Sequence, residues 1–187
     1  RMTALGDYTL KFQSLKEGKK VYYLIEVTEE EKDKRFEKSS KPRESGSFIT
    51  GDKFSYFSFK DLDGNKFKAK DLEGKILVIN FWFIGCPPCR QEIPDLNDLV
   101  KKYAGREDVI FVAIALDGEY EIDQFLKSSP FDYHQITDGR YYAQRFGVKA
   151  FPTHVIVDKQ GKVQFNTSSS GAYATYWLKK SIDELLL

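Results

Sequence analysis

Hydrophobic residues along this chain form short runs that alternate with segments of helical periodicity. Two runs, at residues 76–83 and 109–116, have the length and composition of buried strands. Between them, Cys89, Ile93 and Leu96 recur with the spacing of one helical face. Apolar strands alternating with helices predict an α/β fold with a central, mainly parallel mixed sheet, flanked by helices on both faces.

Shorter elements continue this alternation towards the C-terminus. The pattern predicts helices at 121–128, 140–146 and 173–186, and strands at 133–137, 153–157 and 162–165. A turn at 158–161 joins the last two strands into an antiparallel hairpin.

The first 47 residues differ in composition from the rest. A turn at Gly18 and a β-rich stretch at 21–27 predict a hairpin. Residues 28–35 are almost all charged, and residues 39–47 are rich in Ser, Lys, Pro and Gly, which is typical of linkers. We therefore expect an N-terminal extension over 1–47, a β-hairpin plus a charged linker, and a main domain over 48–187.

Charge and hydropathy exclude several classes of partner. The 29 Lys and Arg residues nearly balance the 28 Asp and Glu residues, so no global field favours nucleic acid or anionic lipid. No apolar run is long enough to cross a bilayer, and we expect a soluble chain. The chain starts at Arg1 rather than Met, which is compatible with a leader or lipid anchor in a segment outside it.

The only two cysteines, Cys86 and Cys89, directly follow the first buried run. A disulfide between them would close too small a loop to restrict the unfolded chain much, so stability explains the pair poorly. The start of a helix favours a thiolate at Cys86, and Pro87 suits the first helical position. The apolar helical face turns Cys89 towards the core and leaves Cys86 exposed. These features favour a redox-active pair.

Three alternatives remain open on the residues alone. The first is a structural short-loop disulfide. The second is a zinc site, although a structural zinc needs four ligands and only His134 and His154 could join the two thiolates. The third is Cu(I) bound by the two thiolates and a histidine, because soft ligands select Cu(I).

Four segments, in order, resemble thioredoxin-like proteins, and within them the TlpA/ResA branch, also grouped with AhpC/TSA-type domains. The segments are residues 51–64, residues 77–94 with the Cys86-Pro87-Pro88-Cys89 motif, residues 146–148, and residues 151–161 beginning with Phe151-Pro152-Thr153. The resemblance implies a thioredoxin-like fold from about Gly51 to the C-terminus. Residues 1–47 lie outside it.

The resemblance also implies a thiol-disulfide oxidoreductase in which Cys86 is the attacking thiolate and Cys89 the resolving thiol. It implies a cis peptide bond before Pro152, with Phe151 presenting its backbone to an extended substrate. Glu92 matches a glutamate of the TlpA/ResA branch. Half-burial near two thiols disfavours the charged carboxyl and suits it to assist proton transfer from Cys89. The alternative is a glutamate that interacts with the helix dipole or a nearby basic group.

Several neighbouring positions carry weaker expectations. Asn80 replaces the buried aspartate of thioredoxins proper, and an amide cannot accept a proton from the resolving thiol. Ile84 and the following glycine replace a residue that is usually tryptophan in the family, which would change substrate docking. Trp82 is either part of a substrate-docking surface or a core residue. His154 is expected to be packed rather than a ligand, and His134 to lie at the surface or a sheet edge.

These resemblances imply a reductase of protein disulfides outside the cytoplasm, periplasmic or membrane-tethered, acting in cytochrome c maturation or thiol maintenance. The expected partners are disulfide-containing proteins and a membrane-embedded thiol-disulfide carrier that donates electrons. We expect a reducing couple, no bound metal, and no cofactor besides the Cys86–Cys89 disulfide. Alternatives are a Cu(I) metallochaperone and a thiol peroxidase; Phe83 occupies the threonine position of the Thr-x-x-Cys peroxidatic motif.

Overall fold

A computed structural model describes residues 8–187 and divides into two compact units, one ending at Ser40 and the other spanning Lys41–Leu187. The first unit starts with the predicted hairpin, formed by β1 (Tyr8–Lys16) and β2 (Lys19–Glu26). Glu17 and Gly18 form its turn, and both have positive φ angles. Residues 1–7 of the predicted extension lie outside the described residues.

The charged run after the hairpin is a helix, α1 (Glu29–Glu37), so its prediction as a linker is wrong. Thr28 is the N-cap: its hydroxyl accepts the Glu31 N–H at 3.3 Å, and the Glu31 carboxylate accepts the Thr28 N–H at 3.1 Å. This reciprocal capping box satisfies two donors at the start of the helix. Glu30 and Lys34 add an i, i+4 ion pair at 2.6 Å. Local hydrogen bonds therefore form a helix without an apolar face.

The second unit is built around five strands of a mixed sheet, preceded by a small two-stranded ladder and one short helix. The ladder strands are β3 (Phe59–Lys60) and β4 (Lys66–Phe67), and the short helix is α2 (Ala69–Leu72). The sheet strands are β5 (Ile76–Trp82), β6 (Val109–Ala115), β7 (His134–Ile136), β8 (Thr153–Val157) and β9 (Val163–Thr167). The other helices are α3 (Pro87–Lys102), α4 (Glu119–Ser128), α5 (Arg140–Arg145) and α6 (Gly171–Leu185).

The sheet has the strand order β7-β6-β5-β8-β9. Strand β5 pairs with β6 in parallel, and β6 pairs with β7 in parallel. Strand β8 runs antiparallel to both β5 and β9. The mixed sheet predicted from the sequence is therefore present, with its parallel pairs on one side of β5 and its antiparallel pairs on the other.

Successive residues of β5 face opposite sides of the sheet and enter two different cores. Ile76, Val78 and Trp82 join the core that α3 and α6 cover. The alternate residues of this strand join a second core, where the rings of Phe54 and Phe146 stack at 5.1 Å. Because both faces are covered, all seven residues of β5 are buried, which explains why the strand is apolar at every position except Asn80.

Residues 43–45 precede residue 48 but belong to the second unit and contact its sheet. Asn166 of β9 accepts hydrogen bonds from the backbone N–H and the hydroxyl of Ser45, both at 2.8 Å. The Thr167 hydroxyl donates to the carbonyl of Arg43 at 2.9 Å. These contacts hold residues 43–45 along β9. The division of the chain after residue 47 stays a prediction.

Candidate active site

The two cysteines form a disulfide at the N-terminus of α3, with sulfur atoms 2.06 Å apart. Cys86 is the N-cap of the helix, as predicted, and Pro87 occupies its first turn. The backbone N–H of Cys89 points at the Cys86 sulfur, with a nitrogen-to-sulfur distance of 3.3 Å. Once the disulfide is reduced, this N–H and the helix dipole both favour a thiolate at Cys86.

Both cysteines are shielded from solvent in this oxidised form. Cys86 is 3% exposed and Cys89 is 2% exposed, so the expectation of an exposed Cys86 is wrong for the disulfide. Both residues belong to the core cluster between α3 and the sheet, and the half-buried Phe83, Ile84 and Phe151 pack against that cluster. Tertiary packing around the start of α3 therefore buries Cys86, although the helical pattern alone predicts that it is exposed to solvent.

The loop between β5 and α3 is fixed by a residue that sequence reasoning missed. Asp117, just beyond β6, accepts the backbone N–H of Ile84 at 2.7 Å. The loop closes when the N–H of Cys86 donates to the carbonyl of Phe83 at 3.1 Å. The only sequence signal for Asp117 is its place after a buried strand that is parallel to β5, because the ends of parallel neighbours lie at the same edge of a sheet.

The peptide bond between Phe151 and Pro152 is cis, as the resemblance implies. Pro152 is buried and immediately precedes β8, whose first residue, Thr153, pairs with Phe81 of β5. The ring of Phe151 meets the ring of Phe83 edge to face at 5.4 Å. The cis-proline segment and the loop before Cys86 thus meet through an aromatic contact.

Trp82 lies in the core and not on a docking surface. It is 1% exposed, and its ring packs at 5.4 Å from Phe125 and 5.5 Å from Phe131. Its place in the last position of a strand that is buried on both faces explains this packing. The substrate-binding interpretation of Trp82 is therefore wrong, and the core alternative is confirmed.

Glu92, one helical turn after Cys89 on α3, forms a buried pair with His154. Each side chain is 1% exposed, so Glu92 is more deeply buried than the half-buried position we expected. His154 Nε2 lies 3.2 Å from Glu92 Oε1 and 3.3 Å from Oε2. Asn80 Nδ2 donates to Glu92 Oε1 at 3.3 Å and contacts His154 Nδ1 at 3.1 Å. The backbone N–H of Gly171 donates to Glu92 Oε2 at 3.3 Å.

His154 reaches this cluster because it lies directly opposite Asn80 in the antiparallel register of β5 and β8. The sequence favours a packed His154 over a metal ligand and does not show its contact with Glu92, because the register between the strands cannot be read from it. A further neighbour is Tyr133, whose pKa is raised, first by complete burial and then by the negative charge of Glu92. Tyr133 is therefore neutral at physiological pH.

His134 lies apart from this cluster, on the edge strand β7, as expected for a sheet-edge residue. Its Nδ1 is 2.7 Å from a carboxylate oxygen of the buried Asp61. Burial opposes ionisation of Asp61, but hydrogen bonds from Asn65 and His134 outweigh it, and the pKa of Asp61 is lowered. This pair ties the edge strand to the turn between β3 and β4.

Among the described residues, no group of three or more His, Cys, Asp and Glu side chains is arranged to hold a metal ion. Within the same part of the chain, no helix is long and apolar enough to cross a membrane.

Comparison with known proteins gives this site a family. The sequence profile of the AhpC/TSA family matches residues 50–166, which include Cys86, Cys89, Glu92 and Pro152. The chain belongs to the AhpC/TSA family.

Two bacterial relatives of this AhpC/TSA-family chain illustrate the similarity. A thiol-disulfide oxidoreductase ResA of Bacillus cereus is 34% identical over 108 residues, which cover 57% of this chain and 62% of ResA. The thioredoxin-like protein YneN of Bacillus subtilis is 33% identical over 110 residues, which cover 58% of this chain and 65% of YneN. The similarity therefore spans less than two thirds of either relative.

Solved structures show the same fold. A thiol:disulfide interchange protein of the thioredoxin family from Chlorobium tepidum TLS superposes with a TM-score of 0.64 at 25% identity, covering 74% of this chain and 99% of that one. The DsbF protein of Mycobacterium tuberculosis, solved in mixed oxidised and reduced forms, superposes with a TM-score of 0.58 at 30% identity, covering 70% and 95%. The predicted thioredoxin-like fold is confirmed.

Proposed function

We propose that this chain is an enzyme that exchanges thiols and disulfides and that it reduces disulfides in other proteins. The observation that carries the proposal is the Cys86–Cys89 disulfide at the N-terminus of α3, with the carboxyl group of Glu92 buried one helical turn further on. Relatives named thiol-disulfide oxidoreductases support the same class of reaction.

In the proposed reaction, the Cys86 thiolate attacks a substrate disulfide and forms a mixed disulfide, releasing the first substrate sulfur as a thiolate. Glu92 accepts the proton of Cys89. The Cys89 thiolate then attacks the Cys86 sulfur, which closes the internal disulfide and releases the second substrate thiolate. The substrate gains two electrons, and the Cys86–Cys89 pair is oxidised.

The half-buried rings of Phe83 and Phe151 are the groups we assign to substrate docking, next to Pro152. They pack against the cluster that holds both cysteines and remain partly exposed. An extended peptide that approaches Cys86 would therefore meet apolar surface on one side and the backbone before Pro152 on the other.

We place this activity outside the cytoplasm, in a periplasmic or membrane-tethered protein, with a membrane-embedded thiol-disulfide carrier as the donor that returns the chain to the dithiol state. Disulfides persist in oxidising compartments, so a dedicated reductase has substrates there. Reduction of cysteines during cytochrome c maturation is one process that needs such a donor of electrons.

Insulin reduction and a glutathione redox titration test the proposal together. The wild-type chain should reduce insulin, with a two-electron potential below about −200 mV. Cys86→Ser should abolish the reaction, whereas Cys89→Ser should accumulate a mixed disulfide that gel electrophoresis without reductant detects. Because the chain has two cysteines, each variant leaves a single thiol and serves as the control for the other.

Other outcomes would point elsewhere. A potential near about −120 mV would indicate an oxidant of protein thiols rather than a reductase. Consumption of hydrogen peroxide without insulin reduction would replace the proposal with a thiol peroxidase. Stoichiometric Cu(I) binding by the reduced chain, lost in Cys86→Ser and accompanied by no exchange, would replace it with a metallochaperone.

A further inference from the structure

His154 is a buried histidine with a hydrogen-bond partner at each ring nitrogen. Asn80 lies 3.1 Å from its Nδ1, and Glu92 lies 3.2 Å from its Nε2. Cys89, Glu92 and His154 are all almost completely buried, so bulk water does not supply these contacts. Glu92, three residues after the resolving cysteine on α3, thus has a histidine partner that the proposed reaction has not yet used.

The partners of His154 determine which of its nitrogens carries the proton. Asn80 Nδ2 has two hydrogens and no lone pair, so it donates to Nδ1, and Nδ1 is unprotonated. A neutral imidazole then carries its hydrogen on Nε2, which faces Glu92. Rotating the Asn80 amide by 180° would instead bring its oxygen to the position 3.3 Å from a Glu92 oxygen, where two acceptors would repel.

Glu92 therefore receives three donors from three different parts of the fold. They are the Nε2–H of His154 on β8, the Nδ2–H of Asn80 on β5 and the backbone N–H of Gly171 at the start of α6. A buried carboxylate is stable only when such donors surround it. The arrangement fixes the orientation of the Glu92 side chain and offers donors to both of its carboxyl oxygens.

We propose that His154 is a positioning residue that holds Glu92 as the carboxylate that takes the proton of Cys89. This inference deepens the proposed function and rests on it. In the step concerned, the S–H bond of Cys89 breaks and an O–H bond forms on Glu92, while His154 keeps its own proton and continues to donate from Nε2. No electron is transferred until the Cys89 thiolate attacks the Cys86 sulfur.

The groups that face the pair are consistent with this assignment. On α3, Cys89 and Glu92 are both buried and lie one helical turn apart, and from the chain before β7 comes Tyr133, which is neutral because burial and the charge of Glu92 raise its pKa. From β5 the facing group is the amide of Asn80, which does not titrate, and from α6 it is a backbone N–H. Among these groups, Glu92 is the carboxyl group on the buried side of α3 that also holds Cys89.

The first test reads the proton position on His154 directly. The chain contains two histidines, so His134→Gln leaves one imidazole to observe by ¹⁵N NMR of the oxidised protein. We expect the hydrogen on Nε2 and none on Nδ1, because the Asn80 amide donates to Nδ1. A hydrogen on Nδ1 would overturn the proposal. This test leaves His154 intact and does not depend on variants of it folding.

The second test reads proton loss from Cys89. When reduced chain reacts with oxidised glutathione, the Cys86–glutathione mixed disulfide disappears as Cys89 loses its proton and attacks, and acid quenching with mass spectrometry measures this closure rate across pH. His154→Leu should slow closure about tenfold near pH 7, because a hydrogen bond to the charged acceptor is lost. His154→Gln retains an amide donor and should recover part of the rate.

Matched controls separate this effect from general destabilisation. Glu92→Gln should slow closure at least as much as His154→Leu, and His134→Gln should leave the closure rate unchanged. If the His154→Leu rates overlay those of the parent while Glu92→Gln slows closure, His154 has no positioning role. If the wild-type chain fails to reduce insulin, the proposed function is wrong, and the closure rates with oxidised glutathione still decide the role of His154.

Discussion

Replacing Asn80 by aspartate tests its polar cluster with Glu92 and His154 most severely, because thioredoxins proper have a buried aspartate at this position. In this chain the Asn80 amide donates to Glu92 at 3.3 Å and to His154 at 3.1 Å. Asn80→Asp would place a second carboxyl group against Glu92 and remove the amide donor. We expect a loss of stability that grows with pH.

The geometry gives the size of this effect. Two unit charges 3.3 Å apart repel by about 5 kcal/mol at an effective dielectric constant of about 20. The alternative is uptake of one proton by the new carboxyl group, whose unfolded pKa is about 3.9, and this costs about 4 kcal/mol at pH 7. Proton uptake costs less, so it should prevail. The folded-state pKa of the new group is then raised, and the penalty is small near pH 4 and increases by about 1.4 kcal/mol per pH unit.

Urea denaturation of the oxidised protein at pH 5 and pH 7 measures this penalty. We expect Asn80→Asp to lose about 4 kcal/mol at pH 7 and about 1.5 kcal/mol at pH 5 from the proton term. Asn80→Ala is the matched control, since it removes the same donors without adding charge and should cost about 1–3 kcal/mol at both pH values. If the difference between the two variants is the same at pH 5 and pH 7, the charge argument is refuted.

Three further predictions concern other parts of the chain. Leu96→Ala removes a fully buried side chain and should lower the free energy of unfolding by about 2–5 kcal/mol in urea denaturation. Ile49→Ala is the control, because Ile49 is 62% exposed and should change the stability by less than about 0.5 kcal/mol; equal losses would contradict the described core. Because the pKa of Asp61 is lowered, the stability it contributes is complete at neutral pH and is lost as the pH falls through the folded-state pKa. The acid loss of stability should be shallower in Asp61→Asn, and identical pH dependences would argue against the hydrogen bonds that stabilise the Asp61 carboxylate. Thr28→Ala removes the N-cap of α1 and should destabilise this helix by about 1 kcal/mol. Amide hydrogen exchange in Glu29–Glu37 should become faster, and unchanged exchange would contradict the capping role of Thr28.

Long periodic segments were predictable because burial on both faces leaves a strong local pattern. The strand at Ile76–Trp82 is apolar at nearly every position, and the helix at Pro87–Lys102 combines an N-terminal proline with an apolar stripe. The helix at Glu29–Glu37 was missed although its signal was present. Thr28 and Glu31 have the spacing of a capping box, and the lack of apolar residues obscured it.

The candidate site was predictable only in part. Cys86 and Cys89 follow from short-range spacing on one helix, and the family resemblance supplied Glu92 and the cis bond before Pro152. The burial of Trp82 and Cys86 was not predictable with certainty, because it depends on side chains contributed by distant segments. For Trp82 these are Phe125 and Phe131, which follow it by more than forty residues along the chain.

Local sequence is sufficient to place the dithiol at a helix N-terminus after a buried strand, since backbone capping and side-chain periodicity act over a few residues. It contains no comparable information on which strands are neighbours or in which direction they run. The antiparallel pairing of β8 with β5 brings His154 beside Asn80 and within reach of Glu92, and the parallel pairing of β6 with β5 brings Asp117 to the loop before Cys86. Those contacts join residues far apart in the chain, and they exist only once the whole sheet has assembled.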